Sequence, residues 1–277
     1  MALLNLPDTQ EPMDQVIACL KYFNELDLEL KKYNKVVFDL SKIRWILPCS
    51  SLLLSHKIEN IRLQKKNFSI VLPESKAVTN HLKQIGFPLG SKRKEDRCSP
   101  IIHFMHHVNE SVNELFDLID HNFPDSEEYN NAIKYILSEL VTNIEEHSGY
   151  KHATITAQYY KTKKMIDIGV IDDGISIPGR FRKKGIKFNE DYTAINNAIE
   201  GTSTKNERGR GRGLSSINKL NKGLKGELNI VSRGGALVIK NDGKHNLYIL
   251  ENNSIKGTLV YLKFHKPAKK IEVVKYI

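Results

Sequence analysis

A chain of 277 residues with 40% hydrophobic content holds enough apolar material for one large folded unit or two of ordinary size. Its longest apolar runs, within SSLLLSH and IDIGVI, fall far short of the roughly 20 residues that cross a bilayer, and no charged-then-apolar leader opens the chain, so a cytoplasmic protein is expected. The formal charge of +10 suits an anionic partner; 15 basic and 9 acidic residues precede Glu95, so the excess is not confined to one tail.

In chain order, MDQVIACLKYFNELDLELKKY has helical spacing, and KVVFDL at 35–40 reads as a buried strand. The apolar-periodic SSLLLSHKIENIRLQKK predicts a helix, FSIVLP at 68–73 a second strand, and SKAVTNHLKQIGF a short amphipathic helix ending at Gly86. These signals outline an α/β domain over residues 1–90. PLGSKRKEDRCSP is polar, charged and bracketed by prolines, which places a linker at 91–104 and a second domain at 105–277. There the pattern predicts helices at about 101–121 and 127–147. Strands follow at ATITAQYY, MIDIGVID, GELNIVSR, ALVIKND, HNLYILEN and GTLVYLKF. The expected architecture is α+β, a mixed, largely antiparallel sheet with helices on one face. Cys19, Cys49 and Cys98 lack the spacing of a metal site or disulfide framework.

Four groupings in the second domain carry chemistry. In ILSELVTNIEEHS, Glu139, Asn143 and His147 recur every four residues on one helix face while Ile136, Leu140 and Ile144 form the apolar stripe. Spacing alone describes a polar helix face as well as a site, and His147 reads as a hydrogen-bonded helix residue rather than a catalyst. In VIDDGISIPGRF a strand ends in Asp172-Asp173-Gly174, where a carboxylate can accept a hydrogen bond from an exocyclic amino group; an ordinary Asp-Gly turn has the same residues. Arg208-Gly209-Arg210-Gly211-Arg212-Gly213 leads into an apolar-periodic helix beginning at Leu214, and backbone N–H groups at a helix start favour phosphate. Gly257-Thr258 opens the last strong strand.

In this order, over roughly residues 105–266, the four groupings resemble the nucleotide-binding domain of the GHKL ATPase superfamily, shared by histidine kinases, gyrase-type topoisomerases, mismatch-repair ATPases and anti-sigma-factor kinases. The resemblance implies a Bergerat-type α+β sandwich that binds ATP and Mg²⁺. By it, Asn143 holds the metal, Glu139 orients or deprotonates an attacking water or hydroxyl, and Asp172 takes the adenine amino group. Gly174 lies beneath the base, Thr258 assists through its hydroxyl, and Ser176, Ile177 and Leu214 complete the nucleotide-binding set. Gly209, Gly211 and Gly213 form a lid over the phosphates, with Arg210 and Arg212 adding positive charge. Ser176 stands where the family has a glycine. The implied function is a slow ATPase or serine/threonine-kinase-like regulator whose lid controls a protein partner; pairing of two chains is left open. His103, His106 and His107 are not followed by an acidic residue in the kinase manner. The contrasting reading, a basic nucleic-acid-binding module, ranks second because the Arg-Gly stretch holds no aromatic side chain for stacking.

The first domain resembles the STAS fold of anti-sigma-factor antagonists: a strand, an exposed turn, a helix, a strand, a helix and a terminal Gly-Phe. The phosphoacceptor position of that family falls on Cys49, with Ser50 and Ser51 following; Ser50 as a simple helix cap is the alternative.

Overall fold

The computed structural model describes residues 2–90, 99–105, 109–124, 126–202 and 213–266. The N-terminal layer opens with α1 (Pro12–Tyr33), started by proline at its first turn and closed where Asn34, at φ 50°, returns its N–H to the Leu30 carbonyl. Strand β1 (Lys35–Asp39) runs into α2 (Pro48–Leu63), which crosses over to β2 (Asn67–Val71), parallel to β1. Helix α3 (Lys76–Gln84) follows, capped by the Ser75 side chain on the Val78 N–H.

Helix α2 is buried on nearly every side, because it lies between α1 and a second, larger sheet. This corrects the expected exposed turn: Ser50 and Ser51 are 0% and 1% exposed. Ser50 Oγ donates to Gln15 Oε1 at 2.9 Å and Ser51 Oγ to the Pro48 carbonyl at 3.1 Å. Small hydroxyls satisfied internally let the helix bury its start. Burial also lifts the Cys49 thiol up to about 12, so it is inert.

The larger sheet holds β3 (Ile102–Phe104), β4 (Ala153–Tyr160), β5 (Met165–Asp172), β6 (Glu227–Ser232), β7 (Gly235–Ile239), β8 (His245–Ile249) and β9 (Thr258–His265), in the order β3-β4-β5-β9-β6-β7-β8. Every adjacent pair is antiparallel, so the expected mixed sheet is corrected among the described residues. The last strand inserts at the centre and sets Thr258 opposite Asp172. Period-two alternation gives the sheet two buried faces. Ile166, Ile168 and Val170 join the core formed with α4 (Asn109–Asn122), α5 (Glu127–Asn143), α7 (Asp191–Ile199) and α8 (Gly213–Gly223). Ile171, Leu259 and Tyr261 join the core of the N-terminal layer. Helices thus cover both faces. Gly169 makes room for α2: a Cβ there would stand 2.7 Å from Leu52 Cδ2.

The helix expected over 101–121 begins only at Asn109, because Ile102–Phe104 pairs with Ala153–Ile155 of β4. Just before it, Ser99 brackets Ala157, donating its N–H to the carbonyl at 2.9 Å and accepting the Ala157 N–H on Oγ at 2.8 Å. The end of the expected linker therefore joins the sheet edge. Two short helices without a clear sequence signal, α6 (Ile177–Lys183) and α7, connect β5 to α8.

Where α2 meets β3 and β4, three histidines stack. His56 and His152 lie with ring centroids 4.5 Å apart, His103 and His152 at 5.1 Å. Thr154 Oγ1 shares hydrogen bonds with His56 Nδ1 at 2.9 Å and His103 Nδ1 at 3.1 Å, while His56 Nε2 and His152 Nδ1 are buried without partners among the described residues. Burial foremost holds all three below the usual imidazole range, joined by repulsion from neighbouring histidines for His56 and His152, with His152 at about 4. Depressed histidine pKa values contribute stability above the unfolded value near 6.5 that is lost as pH falls toward 4. Asp167, raised to about 6 chiefly by burial, acts in the opposite sense and loses stability as pH rises. His56→Asn keeps a group for Thr154 and removes one titrating ring. Its thermal midpoint is expected to fall less steeply than the parent's between pH 6.5 and 4, measured by circular dichroism; parallel slopes would exclude the cluster as an acid-labile point.

Candidate functional site

Helix α5 presents Glu139 and Asn143 because Ile136, Leu137 and Leu140, at 0–3% exposure, pin its opposite face to the sheet. Past Asn143 the helix widens into a π-helical turn, Ile144–Ser148, a distortion frequent at functional sites. Ser148 fastens that turn: its Oγ donates to the Ile144 carbonyl at 2.8 Å, and its own carbonyl accepts the Ile175 N–H at 2.7 Å. The end of α5 is thereby tied to the end of β5.

At that end the two aspartates separate. Asp173 holds the backbone, accepting the Lys151 and His152 N–H groups at 2.8 and 3.0 Å and pairing with Lys256 at 3.1 Å. Burial acts upward on its pKa, but these hydrogen bonds and the Lys256 charge together bring it below the usual range. Asp172 lines a cavity. Burial pushes its carboxyl up to about 7, helped by the Asp173 charge and opposed by the Gly174 and Thr258 N–H groups and the Ser148 hydroxyl. A carboxyl poised near neutrality beside a cavity is a functional-site signature.

Close backbone approaches seal this corner. A Cβ on Gly174 would stand 2.4 Å from the Ser148 carbonyl oxygen. Gly257, at φ 82°, would place a Cβ 2.0 Å from the Asp172 carbonyl oxygen. Ser176 adopts φ 71° and ψ 158°, a region that glycine occupies freely and other residues enter at about 1–3 kcal/mol. The backbone of the tight turn is therefore retained despite the serine, whose Oγ accepts the Gly179 N–H at 3.1 Å and caps α6. Ser232 completes the frame. Its Oγ accepts the Ile177 N–H at 2.9 Å and shares a hydrogen bond with Thr258 Oγ1 at 2.8 Å.

The cavity draws Asn143 from α5, Asp172 from β5, Ser176 and Ile177 from the start of α6, Gly213 and Leu214 from α8 and Thr258 from β9. Gly213 sits so close to α5 that an added Cβ would lie 3.0 Å from both Asn143 amide atoms and 3.2 Å from Glu139 Oε2. Asn143 Nδ2 is buried there without a hydrogen-bond partner among the described residues. Gly209, Arg210, Gly211 and Arg212 lie outside the described residues, but the residues flanking 203–212, Thr202 and Gly213, both line the cavity.

Sequence reasoning missed Tyr135, Ser148, Arg180, Phe181, Ala198 and Thr202. Tyr135 lies one turn before Glu139, and burial together with the Glu139 charge raises the phenol's pKa; the four-residue spacing was the available signal. Arg180, Phe181, Ala198 and Thr202 line the cavity from α6, α7 and the residues after it, segments whose sequence carries little periodicity.

No curated protein is significantly similar to the chain. Among solved structures, the histidine kinase domain of a blue-light activated histidine kinase from Erythrobacter litoralis is similar at 13% identity. The match covers 91% of this chain and 94% of that one, with a TM-score of 0.29. Residues 128–268 match the family model of the histidine kinase-, DNA gyrase B- and HSP90-like ATPases. That span contains Glu139, Asn143, Asp172, Gly213 and Thr258, and the chain belongs to this ATPase family.

Proposed function

We propose that the chain binds ATP with Mg²⁺ in this cavity and works as a regulatory ATPase or protein kinase whose 203–212 segment acts as the lid. The observation that carries the reading is the convergence of Asn143, Asp172, Gly213 and Thr258 from four separate elements on one cavity. Asp172 accepts the adenine amino group, and its neighbours Gly174 and Gly257 leave no room for a side chain that would displace it. Asn143 Oδ1 and the Glu139 carboxylate, both close to Gly213, offer hard oxygen atoms, which suit Mg²⁺. When bound, Mg²⁺ supplies charge neutralisation for the phosphate oxygens. Glu139, beside Asn143 and close to the start of α8, orients or accepts a proton from the attacking hydroxyl or water. The backbone N–H groups at the start of α8 face the phosphates.

In the same reading, residues 1–90 form a regulatory or docking domain resembling an anti-sigma-factor antagonist, and the lid presents a nucleotide-dependent surface to a protein partner in the cytoplasm. Its β1-α2-β2-α3 order with a parallel strand pair supports the likeness. Burial of Ser50 and Ser51 argues against phosphorylation of either while α2 is docked. Among the described residues no helix is long and apolar enough to cross a membrane.

Calorimetric titration of the full chain with ATP, with and without Mg²⁺, tests the reading. The parent is expected to bind more tightly with the metal, Asn143→Ala to lose that difference, and Glu139→Ala to bind ATP yet release no phosphate. Equal metal dependence in Asn143→Ala would remove the magnesium assignment, and phosphate release at the parent rate by Glu139→Ala would remove Glu139 as the base.

A further inference from the structure

Arg180 brings a cation to the cavity that no motif announced. It lies on α6 one turn after Ile177 and beside Phe181, and all three line the cavity with Asp172 and Asn143. Its Nε is shut off from solvent and has no hydrogen-bond partner among the described residues. A buried donor left unpaired is destabilising by about 1–3 kcal/mol, more where it is charged.

The other arginine of α6 shows what a structural role looks like on this helix. Arg182 donates to Asp191 Oδ1 at 2.7 Å and lies 4.7 Å over the Phe188 ring, so it has both an ion pair and a stacking partner. Arg180 turns to the cavity instead. The carboxylate that lines the cavity, Asp172, already accepts from the Gly174 N–H at 2.7 Å. No acceptor for Arg180 Nε stands among the described residues, and an occupant of the cavity can supply one. Guanidinium offers only donors and a fixed positive charge, in a fork that fits two oxygens of one anionic group.

We propose that Arg180 binds a phosphate group of the nucleotide and makes the site discriminate phosphorylated ligands from the bare nucleoside. The proposal rests on the nucleotide reading above and adds a residue to it. Ribose hydroxyls and ring nitrogens are also acceptors, but they carry no charge to match a guanidinium whose Nε is buried.

Isothermal titration of the full chain with ATP, ADP and adenosine, in the parent, Arg180→Met and Arg180→Lys, separates the possibilities. Methionine keeps the apolar stem and removes the charge. It is expected to weaken ATP and ADP by about 10- to 100-fold, the loss of a charge-assisted hydrogen bond, and to leave adenosine unchanged. Lysine is expected to recover part of the loss. The ligand-free thermal midpoint of Arg180→Met should equal or exceed the parent's, since an unpartnered donor is removed. An equal loss for adenosine would assign Arg180 to the sugar or base and overturn the proposal. Parent-like ATP affinity in Arg180→Met, or a lowered ligand-free midpoint with unchanged ligand discrimination, would also overturn it. If the parent itself binds no ATP, the nucleotide reading fails first and is recognised separately.

Discussion

Gly257→Ala is expected to lower the thermal midpoint by about 10 °C, the equivalent of about 3 kcal/mol in a protein of this size, and to abolish nucleotide binding. Two effects combine. At φ 82° an L side chain is strained, and the new Cβ would stand 2.0 Å from the Asp172 carbonyl oxygen and 2.8 Å from the Gly174 nitrogen. Both contacts are backbone atoms, so the strand end has to move, and Asp172 moves with it. Gly243 supplies the control. Its φ of 83° is nearly the same, but nothing lies within 4 Å of its added Cβ. Gly243→Ala should therefore show only the backbone effect, about 1 kcal/mol, with nucleotide binding intact. Equal thermal losses in the two variants, measured by differential scanning calorimetry, would show that the crowding at Asp172 is unimportant.

Asp172→Asn is expected to lose about 100-fold or more in adenine nucleotide affinity, because an amide N–H₂ replaces part of a charged acceptor. The same change should raise the ligand-free thermal midpoint at pH 8. The sign follows from the raised carboxyl, at about 7 in the fold. Its contribution to stability is complete below the unfolded value near 4 and is lost as pH rises through 7, so at pH 8 the parent carries a strained carboxylate that asparagine lacks. The difference in midpoint should shrink toward pH 4. An adenine amino group donating to the carboxylate favours its charged form. Nucleotide binding near pH 6.5 is therefore expected to release a fraction of a proton in the parent and none through this group in Asp172→Asn. Calorimetry in buffers of different ionisation enthalpy reads this directly. A parent that takes up protons on binding, or a variant less stable at pH 8, would contradict the assignment.

Local periodicity carried much of what was legible. The four-residue spacing of Glu139 and Asn143 against the Ile136-Leu140-Ile144 stripe defined a helix with one polar face, and that helix stands at residues Glu127–Asn143. Alternation along MIDIGVID puts Asp172 on the same face as Ile168 and Val170, the side packed by α4, α5, α7 and α8. Misreadings arose where local signals compete with long-range pairing. IIHF looks compatible with a following helix, yet its partner is β4, some fifty residues away. Helices α6 and α7 are seven and nine residues long, too short for a periodic pattern to declare itself. The STAS-like resemblance implied an exposed turn at Ser50 and Ser51; here neighbours from α1 and the helix's own first turn satisfy the buried hydroxyls.

By itself the sequence determined the strands and longer helices, the residue types suited to a nucleotide and a metal, and the order in which they occur, since each depends on contacts within a few residues. Only the tertiary structure decided that α2 covers the second face of the sheet, that Asp173 is a backbone anchor while Asp172 faces the cavity, and that Arg180 Nε is buried without a partner among the described residues. Those outcomes are set by which surfaces and hydrogen-bonding groups meet across the fold, and such meetings join residues far apart in the chain.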